Sequence, residues 1–176
     1  VITGTPGGTF TAPAAVSINA STGKIDVSAS VAGGPYAITY TTGVLCPIGS
    51  SVFVTINAED NPAFTYGAAN YCTRDADPTP VITGTLGGTF TSAPAGLSIN
   101  AGTGTIDVSA STVGGPYTVT YTTPGPTCPN AATFNINIVA EDNPAFTYGA
   151  ASYCAGDADP TPVITGTAGG TFTSAR

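Results

Sequence analysis

Carboxylates are the residues of this sequence whose type and spacing could do chemistry. Of its ten acidic residues, eight fall at two equivalent places of a repeat, and they are Glu59, Asp60, Asp75, Asp77, Glu141, Asp142, Asp157 and Asp159. Calcium takes six to eight oxygen ligands, which four carboxylates and backbone carbonyls could supply. Asp and Asn close to Pro also form ordinary turns and keep a low-charge surface soluble. We favour turns without a cofactor, and we keep calcium at each place as the alternative.

The sequence lacks the residues that common catalytic sites need. It contains no His and no Trp, and its abundant Ser and Thr have no neighbouring general base. Paired carboxylates can hydrolyse glycosides, but here they sit in turn-forming segments that are duplicated along the chain. We therefore expect a protein that is not an enzyme.

The four cysteines are predicted to be structural. Cys46, Cys72, Cys128 and Cys154 recur with the period of the chain, without His and without a CxxC motif. Zinc sites and catalytic thiols therefore lack partners. Disulfides are the expected use, and they imply an oxidising, extracytoplasmic setting.

Two disulfide pairings are compatible with the sequence. A Cys72–Cys128 bond closes the longer loop and suits a link between the two sheets of a sandwich. The alternative joins Cys46 to Cys72 and Cys128 to Cys154, which closes two shorter loops across the module junctions. Chain-entropy estimates separate the two by less than about 1 kcal/mol, so topology decides and favours Cys72–Cys128. Cys46 and Cys154 then have partners in neighbouring repeats or chains.

Charge argues against two classes of partner. The net charge is −7, and Lys24, Arg74 and Arg176 are the three basic residues. Binding to nucleic acid and attraction to an anionic membrane surface both need clustered Lys and Arg. No run of this sequence approaches the roughly 20 apolar residues of a membrane span. We therefore expect no nucleic-acid partner and no membrane insertion.

The chain repeats itself at a fixed interval. Residues 1–10, 81–90 and 163–172 share the pattern VITGTxGGTF, and residues 61–72 return with one change as residues 143–154. A fixed period of this size, about 81 residues, indicates tandem copies of one small module.

Acidic Asn-Pro segments are the most linker-like points of the repeat, because each follows the last long strand of a copy. They divide the chain into a first copy (1–60) that lacks its first strand, a complete second copy (61–142) and the opening part of a third copy (143–176). We expect this to be a window on a longer repeat protein. The alternative is a disulfide between Cys154 of one chain and Cys46 of the next. Residues 163–173 duplicate residues 1–11, however, and the two segments cannot occupy the same position in one module.

Alternating residues predict strands, and no stretch keeps a helical period. Two long strands are predicted around Tyr117, Val119 and Tyr121 and around Phe134, Ile136 and Ile138. The tyrosines of the first, with Tyr36 and Tyr40, are expected in the core. Shorter strands are predicted at residues 80–84, 89–91, 97–100, 106–109 and 145–148. The result is an all-β fold of tandem Ig-like β-sandwich modules of about 81 residues, with about seven short strands each.

Two segments of the second copy resemble a known class of repeat. AGLSINAGTGTID (95–107) and GGPYTVTYTT (114–123) are similar to Ig-like and cadherin-like repeats of bacterial surface proteins. With DPTPVITGTxGGTF and TCPN added, essentially the whole chain resembles tandem repeats of large gliding-motility-associated adhesins exported by the type IX secretion route. The resemblance implies an Ig-like sandwich, display on the cell surface, and adhesive or filament-forming use. EDNPAF also resembles the calcium-binding linker of cadherins.

Near-identical copies favour a structural role over recognition. We expect an extracellular, cell-surface stalk, fibre or adhesin shaft whose partners are adjacent repeats or copies of itself. The alternative is an adhesion module that binds a surface glycan or a protein, but such sites usually need anchors such as Trp or Arg. Strand exchange between neighbouring chains is a further expected route of assembly, because exposed strand edges invite pairing.

Overall fold

The protein is all-β, as the sequence predicts. A computed structural model describes residues 4, 6–43, 45–125 and 127–174, and these contain fifteen strands and no helix. No helix in this part of the chain is therefore long and apolar enough to cross a membrane. The chain divides into two compact units. One comprises residues 1–63, 83–88 and 122–131, and the other comprises residues 64–82, 89–121 and 132–176. The three copies read from the sequence remain a prediction.

The first copy contains five strands. They are β1 (Thr9–Thr11), β2 (Ser17–Ile18), β3 (Ile25–Asp26), β4 (Gly33–Thr41) and β5 (Gly49–Ile56). β1, β4 and β5 form an antiparallel sheet in that order, and β2 pairs with β3. β5 is therefore an edge strand of its sheet.

The second copy contains eight strands. They are β6 (Phe64–Thr65), β7 (Asn70–Cys72), β8 (Val81–Ile82), β9 (Thr89–Ala93), β10 (Ser98–Ile99), β11 (Ile106–Asp107), β12 (Gly114–Thr122) and β13 (Ala131–Val139). A four-stranded sheet has the order β7–β13–β12–β9, while β6 pairs with β8 and β10 with β11. β13, the counterpart of β5, thus has a neighbour on both sides.

The third copy contributes β14 (Phe146–Thr147) and β15 (Val163–Ile164), which pair with each other. Their register, Phe146 opposite Ile164, repeats that of β6 and β8, where Phe64 lies opposite Ile82. The local hairpin therefore forms in both copies.

Period-two alternation correctly locates the two long strands, β12 and β13. Tyr117, Tyr121 and Ile136 are all buried, while Asn135 is exposed and Asn137 is partly so. The predicted short strands are also confirmed near their expected places. β7 is not among the predicted strands, because its residues Asn70–Cys72 show no alternation; they pair parallel to the end of β13.

The second copy has a well-filled apolar core. Its buried members are Tyr66, Phe90, Leu97, Ile106, Val108, Tyr117, Val119, Tyr121, Ile136 and Ile138. Phe64 packs its ring against those of Phe90 and Tyr121, with centroids 5.5 and 5.8 Å apart. Burial raises the pKa of Tyr66, and its hydroxyl donates to the carbonyl of Gly104.

The first copy has a much smaller core, built on Val16, Ile38 and Ile56. Tyr36 and Tyr40, expected in the core, are half-buried here, whereas their counterparts Tyr117 and Tyr121 are fully buried. Nearly the same sequence therefore encloses less apolar surface in the first copy.

One polar turn is built identically in the first two copies. In the second, the carboxylate of Asp107 accepts hydrogen bonds from the Ala110 N–H and the Ser109 hydroxyl. The Ser111 hydroxyl donates to the Asp107 carbonyl and accepts from the Ser98 N–H. These bonds stabilise the ionised carboxylate and lower the pKa of Asp107.

The first copy repeats this turn at Asp26. The Ser28 hydroxyl and the Ala29 N–H donate to its carboxylate and lower the pKa of Asp26. The isolated aspartates of the sequence therefore have a structural role in fixing the turn after β3 and β11.

Candidate functional site

The acidic groups of the second copy lie against backbone N–H groups. Asp75 Oδ2 accepts from the N–H of Cys72 at 2.7 Å, and Glu141 Oε1 accepts from the N–H of Arg74 at 2.9 Å. Asp77 Oδ1 accepts from the N–H of Val108 at 3.1 Å. Asp77 and Glu141 therefore tie the segment after β7 to distant parts of the chain, whereas Asp75 closes a local turn.

The remaining predicted calcium ligands differ in their contacts. Asp157 Oδ2 accepts from the Cys154 N–H at 2.7 Å, as Asp75 does from Cys72. Glu59 Oε2 lies 3.5 Å from the amide nitrogen of Asn130. Asp142 and Asp159 are exposed, and Asp60 is partly so.

Within the described ranges, no three His, Cys, Asp or Glu side chains are grouped so that they could hold a metal ion. The eight carboxylates thus form no ready-made set of ligands. Calcium binding at Glu59, Asp60, Asp75 and Asp77, or at Glu141, Asp142, Asp157 and Asp159, stays a prediction for experiment.

We expect millimolar calcium to leave the melting temperature of this protein unchanged relative to a chelator, because backbone N–H groups already occupy several of its carboxylates. Isothermal titration calorimetry and thermal melting check this. Measurable heat together with chelator-sensitive melting would contradict it and restore the calcium interpretation. Magnesium at the same concentration is the control for ionic strength.

The predicted Cys72–Cys128 disulfide is not formed in this structure, in which all four cysteines are free. Cys72 lies opposite Val139 at the end of β13. The pairing of Cys72 with Cys128 stays a prediction for experiment.

Each cysteine of the second copy is associated with a different acidic junction. The carbonyl of Cys128 accepts from the N–H of Asp60 at 3.2 Å, and Cys128 lines a shallow groove with Glu59. Burial and the negative charges of Asp75 and Glu141 raise the pKa of the Cys72 thiol. The partners predicted for Cys46 and Cys154 in neighbouring repeats or chains also stay a prediction.

Thiol reactivity is expected to follow exposure and pKa. Cys46 and Cys154 are exposed, whereas Cys72 is half-buried. The pKa of Cys72 is raised, so at neutral pH a smaller fraction of it is thiolate than for an ordinary cysteine. Iodoacetamide should alkylate Cys72 more slowly than Cys46 and Cys154, and the gap should narrow as the pH rises through the Cys72 pKa. Peptide mapping over time checks this. Equal rates at neutral pH would contradict it.

The least expected feature is an open groove on the first copy. It has a volume of about 590 Å³ and is lined by Ser17, Ile18, Asn19, Lys24, Ile25, Asp26, Val27 and Ser28. Val27 is 63% exposed, although its counterpart Val108 in the second copy is 1% exposed. Val52 and Phe53 are also exposed on β5. The two copies have the same residue at this position, so only the structure identifies which valine is exposed.

The third copy also exposes large apolar side chains. The large exposed residues are Phe146, Tyr148, Tyr153, Val163, Ile164 and Phe172. Tyr148 is 47% exposed, while its counterpart Tyr66 is 4% exposed in the second copy. Apart from Val163, whose counterpart Val81 is also exposed, these residues correspond to side chains that pack in or against the core of the second copy.

No protein-family model matches the chain, and a search of the curated proteins finds no match. The resemblance to bacterial surface adhesins therefore rests on the sequence motifs alone.

Proposed function

We propose that this chain is a non-catalytic structural repeat of an extracellular stalk, fibre or adhesin shaft. Its partners are copies of the same module, and its location is the cell surface. The resemblance to repeats of gliding-motility-associated adhesins belongs to the same proposal.

The observation that supports this proposal most is that the same turns and strand pairings recur along the chain. The Asp26 and Asp107 turns use equivalent hydrogen bonds, and β6–β8 and β14–β15 have the same register. Arrays of identical small units are typical of proteins that build length. The low charge of the chain and its lack of clustered basic residues fit such a role.

Immunogold electron microscopy of producing cells, with an antibody raised against this chain, tests the proposal. Label along extracellular fibres or stalks is the expected result. Label confined to the cell interior would overturn it. Diffuse surface label together with binding of the purified chain on a glycan array would instead favour the recognition alternative.

A further inference from the structure

We propose that the acidic segments between copies are clamped onto the copy that follows them, so that each junction is a folded connection and not a flexible linker. The two segments are residues 59–63 and 141–145, and they dock on the residues that follow β8 and β15, at 83–85 and 165–167. The inference concerns how copies are joined, and its functional meaning rests on the proposed shaft role.

Backbone bonds hold the first segment in place. The carbonyl of Ala63 accepts from the N–H groups of Thr83 and Gly84, at 3.0 and 3.1 Å. The carbonyl of Asn61 accepts from the N–H of Thr85 at 2.7 Å, and the N–H of Asn61 donates to the Thr85 hydroxyl oxygen at 3.2 Å. The segment is therefore bonded on both sides of its proline.

The second segment is bonded in the same way. The carbonyl of Ala145 accepts from the N–H groups of Thr165 and Gly166, at 3.0 and 2.9 Å. The carbonyl of Asn143 accepts from the N–H of Thr167 at 2.7 Å, and the N–H of Asn143 donates to the Thr167 hydroxyl oxygen at 3.0 Å. Because the arrangement recurs at both junctions, it is a property of the repeat unit.

Docking lengthens an existing pair of strands at each junction. Phe64 lies opposite Ile82 in β6 and β8, and the bonds of Ala63 and Asn61 continue this register back along the chain. The pair of β14 and β15 is extended in the same way. A pair of two-residue strands is marginal by itself, so the added bonds stabilise the strands as well as the linker.

The Asn-Pro step of each segment suits this docking. Pro62 has no N–H, so it adds no donor that needs a partner. The side-chain Oδ1 of Asn61 accepts from the N–H of Ala63 at 3.0 Å, and Asn143 accepts from Ala145 at the same distance. The Asn-Pro step, which the sequence pattern indicates as a linker, therefore forms a local turn that leads into the clamp.

Glycine makes the close approach of the two backbones possible. A Cβ on Gly84 would overlap the carbonyl oxygen of Asn61, and a Cβ on Gly166 would overlap that of Asn143. Neither glycine has a positive φ, so the requirement is for space and not for a left-handed backbone. The glycine in each of these VITGT stretches is therefore explained by the segment that docks on it.

The acidic residues add bonds at the first junction. The N–H of Asp60 donates to the carbonyl of Cys128 at 3.2 Å, and Glu59 Oε2 lies 3.5 Å from the amide nitrogen of Asn130. Residues 57–58 separate this bonded stretch from the end of β5. The connection between β5 and the clamp is therefore short.

Clamped junctions would limit movement between copies of the proposed shaft. A flexible linker lets the units that it joins reorient freely. A segment held by backbone hydrogen bonds moves only when those bonds open, which is a local unfolding event with its own free energy. The clamp would therefore make a chain of copies stiffer than a string of modules joined by flexible linkers.

The two glutamates of the chain make a site-resolved test possible. Glu59 and Glu141 are its only glutamates, and each begins one of the clamped segments. A glutamate-specific endoproteinase therefore cuts the full chain at the two junctions, and mass spectrometry of the fragments reports each cut separately. In the unchanged protein both cuts should be at least about 100-fold slower than in synthetic peptides of residues 54–66 and 136–148, because cleavage follows the population of the open segment.

Substitutions in the clamp should act on one junction at a time. Gly84→Ala should accelerate the cut after Glu59 at least about tenfold and leave the cut after Glu141 unchanged, because the added methyl displaces the first segment. Gly166→Ala should do the reverse. Thr85→Val removes a hydroxyl acceptor from the first clamp and should accelerate the first cut by a smaller factor.

Gly102→Ala is the matched control, because a Cβ there would meet the Asn100 side chain at 3.6 Å, which is an ordinary contact. It should change neither rate, and circular dichroism should show that each variant is folded. If Gly84→Ala does not fold, Thr85→Val decides, since valine has nearly the same shape as threonine.

Three results would overturn the inference. The first is equal cleavage rates in the unchanged protein and the peptides. The second is folded variants of Gly84 and Thr85 that are cut no faster than the unchanged protein. The third is a folded variant of either residue in which both junctions open equally. None of these results bears on location at the cell surface, which immunogold labelling tests separately.

Discussion

Replacing Phe90 with Ala is expected to lower the free energy of unfolding of the second copy by about 3–5 kcal/mol. Phe90 is 1% exposed, and its ring centroid lies 4.6 Å from that of Tyr121. Truncation removes these contacts and leaves a cavity that β-strands on several sides cannot easily close. Urea denaturation followed by tyrosine fluorescence and circular dichroism measures the loss.

The third copy supplies the matched control for this experiment. Phe172 is the counterpart of Phe90, but it is 53% exposed and its described ring contact is with Phe146 alone, 5.1 Å away. Phe172→Ala should therefore change the free energy of unfolding by less than about 0.5 kcal/mol. A loss as large as that of Phe90→Ala would show that the third copy has a packed core of its own.

The second large effect is expected at Val108. Val108→Asp places a carboxylate where the valine side chain is almost completely enclosed, and Asp77 already lies beside its backbone N–H. The described side chains of this core are aliphatic or aromatic, so the charge would be buried without a basic partner. We expect a loss of more than about 4 kcal/mol in the free energy of unfolding. Thermal and urea denaturation check this.

Val27→Asp makes the same change at the equivalent position of the first copy. Because Val27 faces the open groove, the free energy of unfolding of this variant should lie within about 0.5 kcal/mol of that of the unchanged protein under dilute conditions. The pair of variants therefore measures what residues 61–80 contribute to one copy and not to the other. Similar losses in the two variants would contradict the described difference in burial.

The sequence predicts the long strands well because alternation alone determines them. Tyr117, Val119 and Tyr121 point to one face in any strand that contains them, and an apolar face of this kind is favoured in a core. These features are local, so one sequence suffices to find them.

β7 could not be predicted, because its position depends on a distant strand. Asn70–Cys72 has no alternation, and it is a strand only because β13, much later in the chain, offers an unpaired edge. The parallel register of Cys72 and Val139 could not be predicted either, because it depends on the same distant pairing.

The acidic segments were predicted as turns or as calcium sites, and the side-chain pattern alone could not separate these. Asp75 and Asp157 cap the same local turn by accepting the N–H groups of Cys72 and Cys154, which a sequence can indicate. The Val108 N–H donates to Asp77, 31 positions away, and the Arg74 N–H donates to Glu141, 67 positions away. Such long-range bonds need the fold to be known first.

The central claim is that residues 61–80 complete the sheet and the core of the second copy, whereas β5 of the first copy is an edge strand among the described residues. Hydrogen–deuterium exchange of the unchanged protein, read by mass spectrometry in dilute solution, tests it most directly. Amides of β5 (Gly49–Ile56) should exchange at least about tenfold faster than those of β13 (Ala131–Val139). Equal protection of β5 and β13 would contradict the claim.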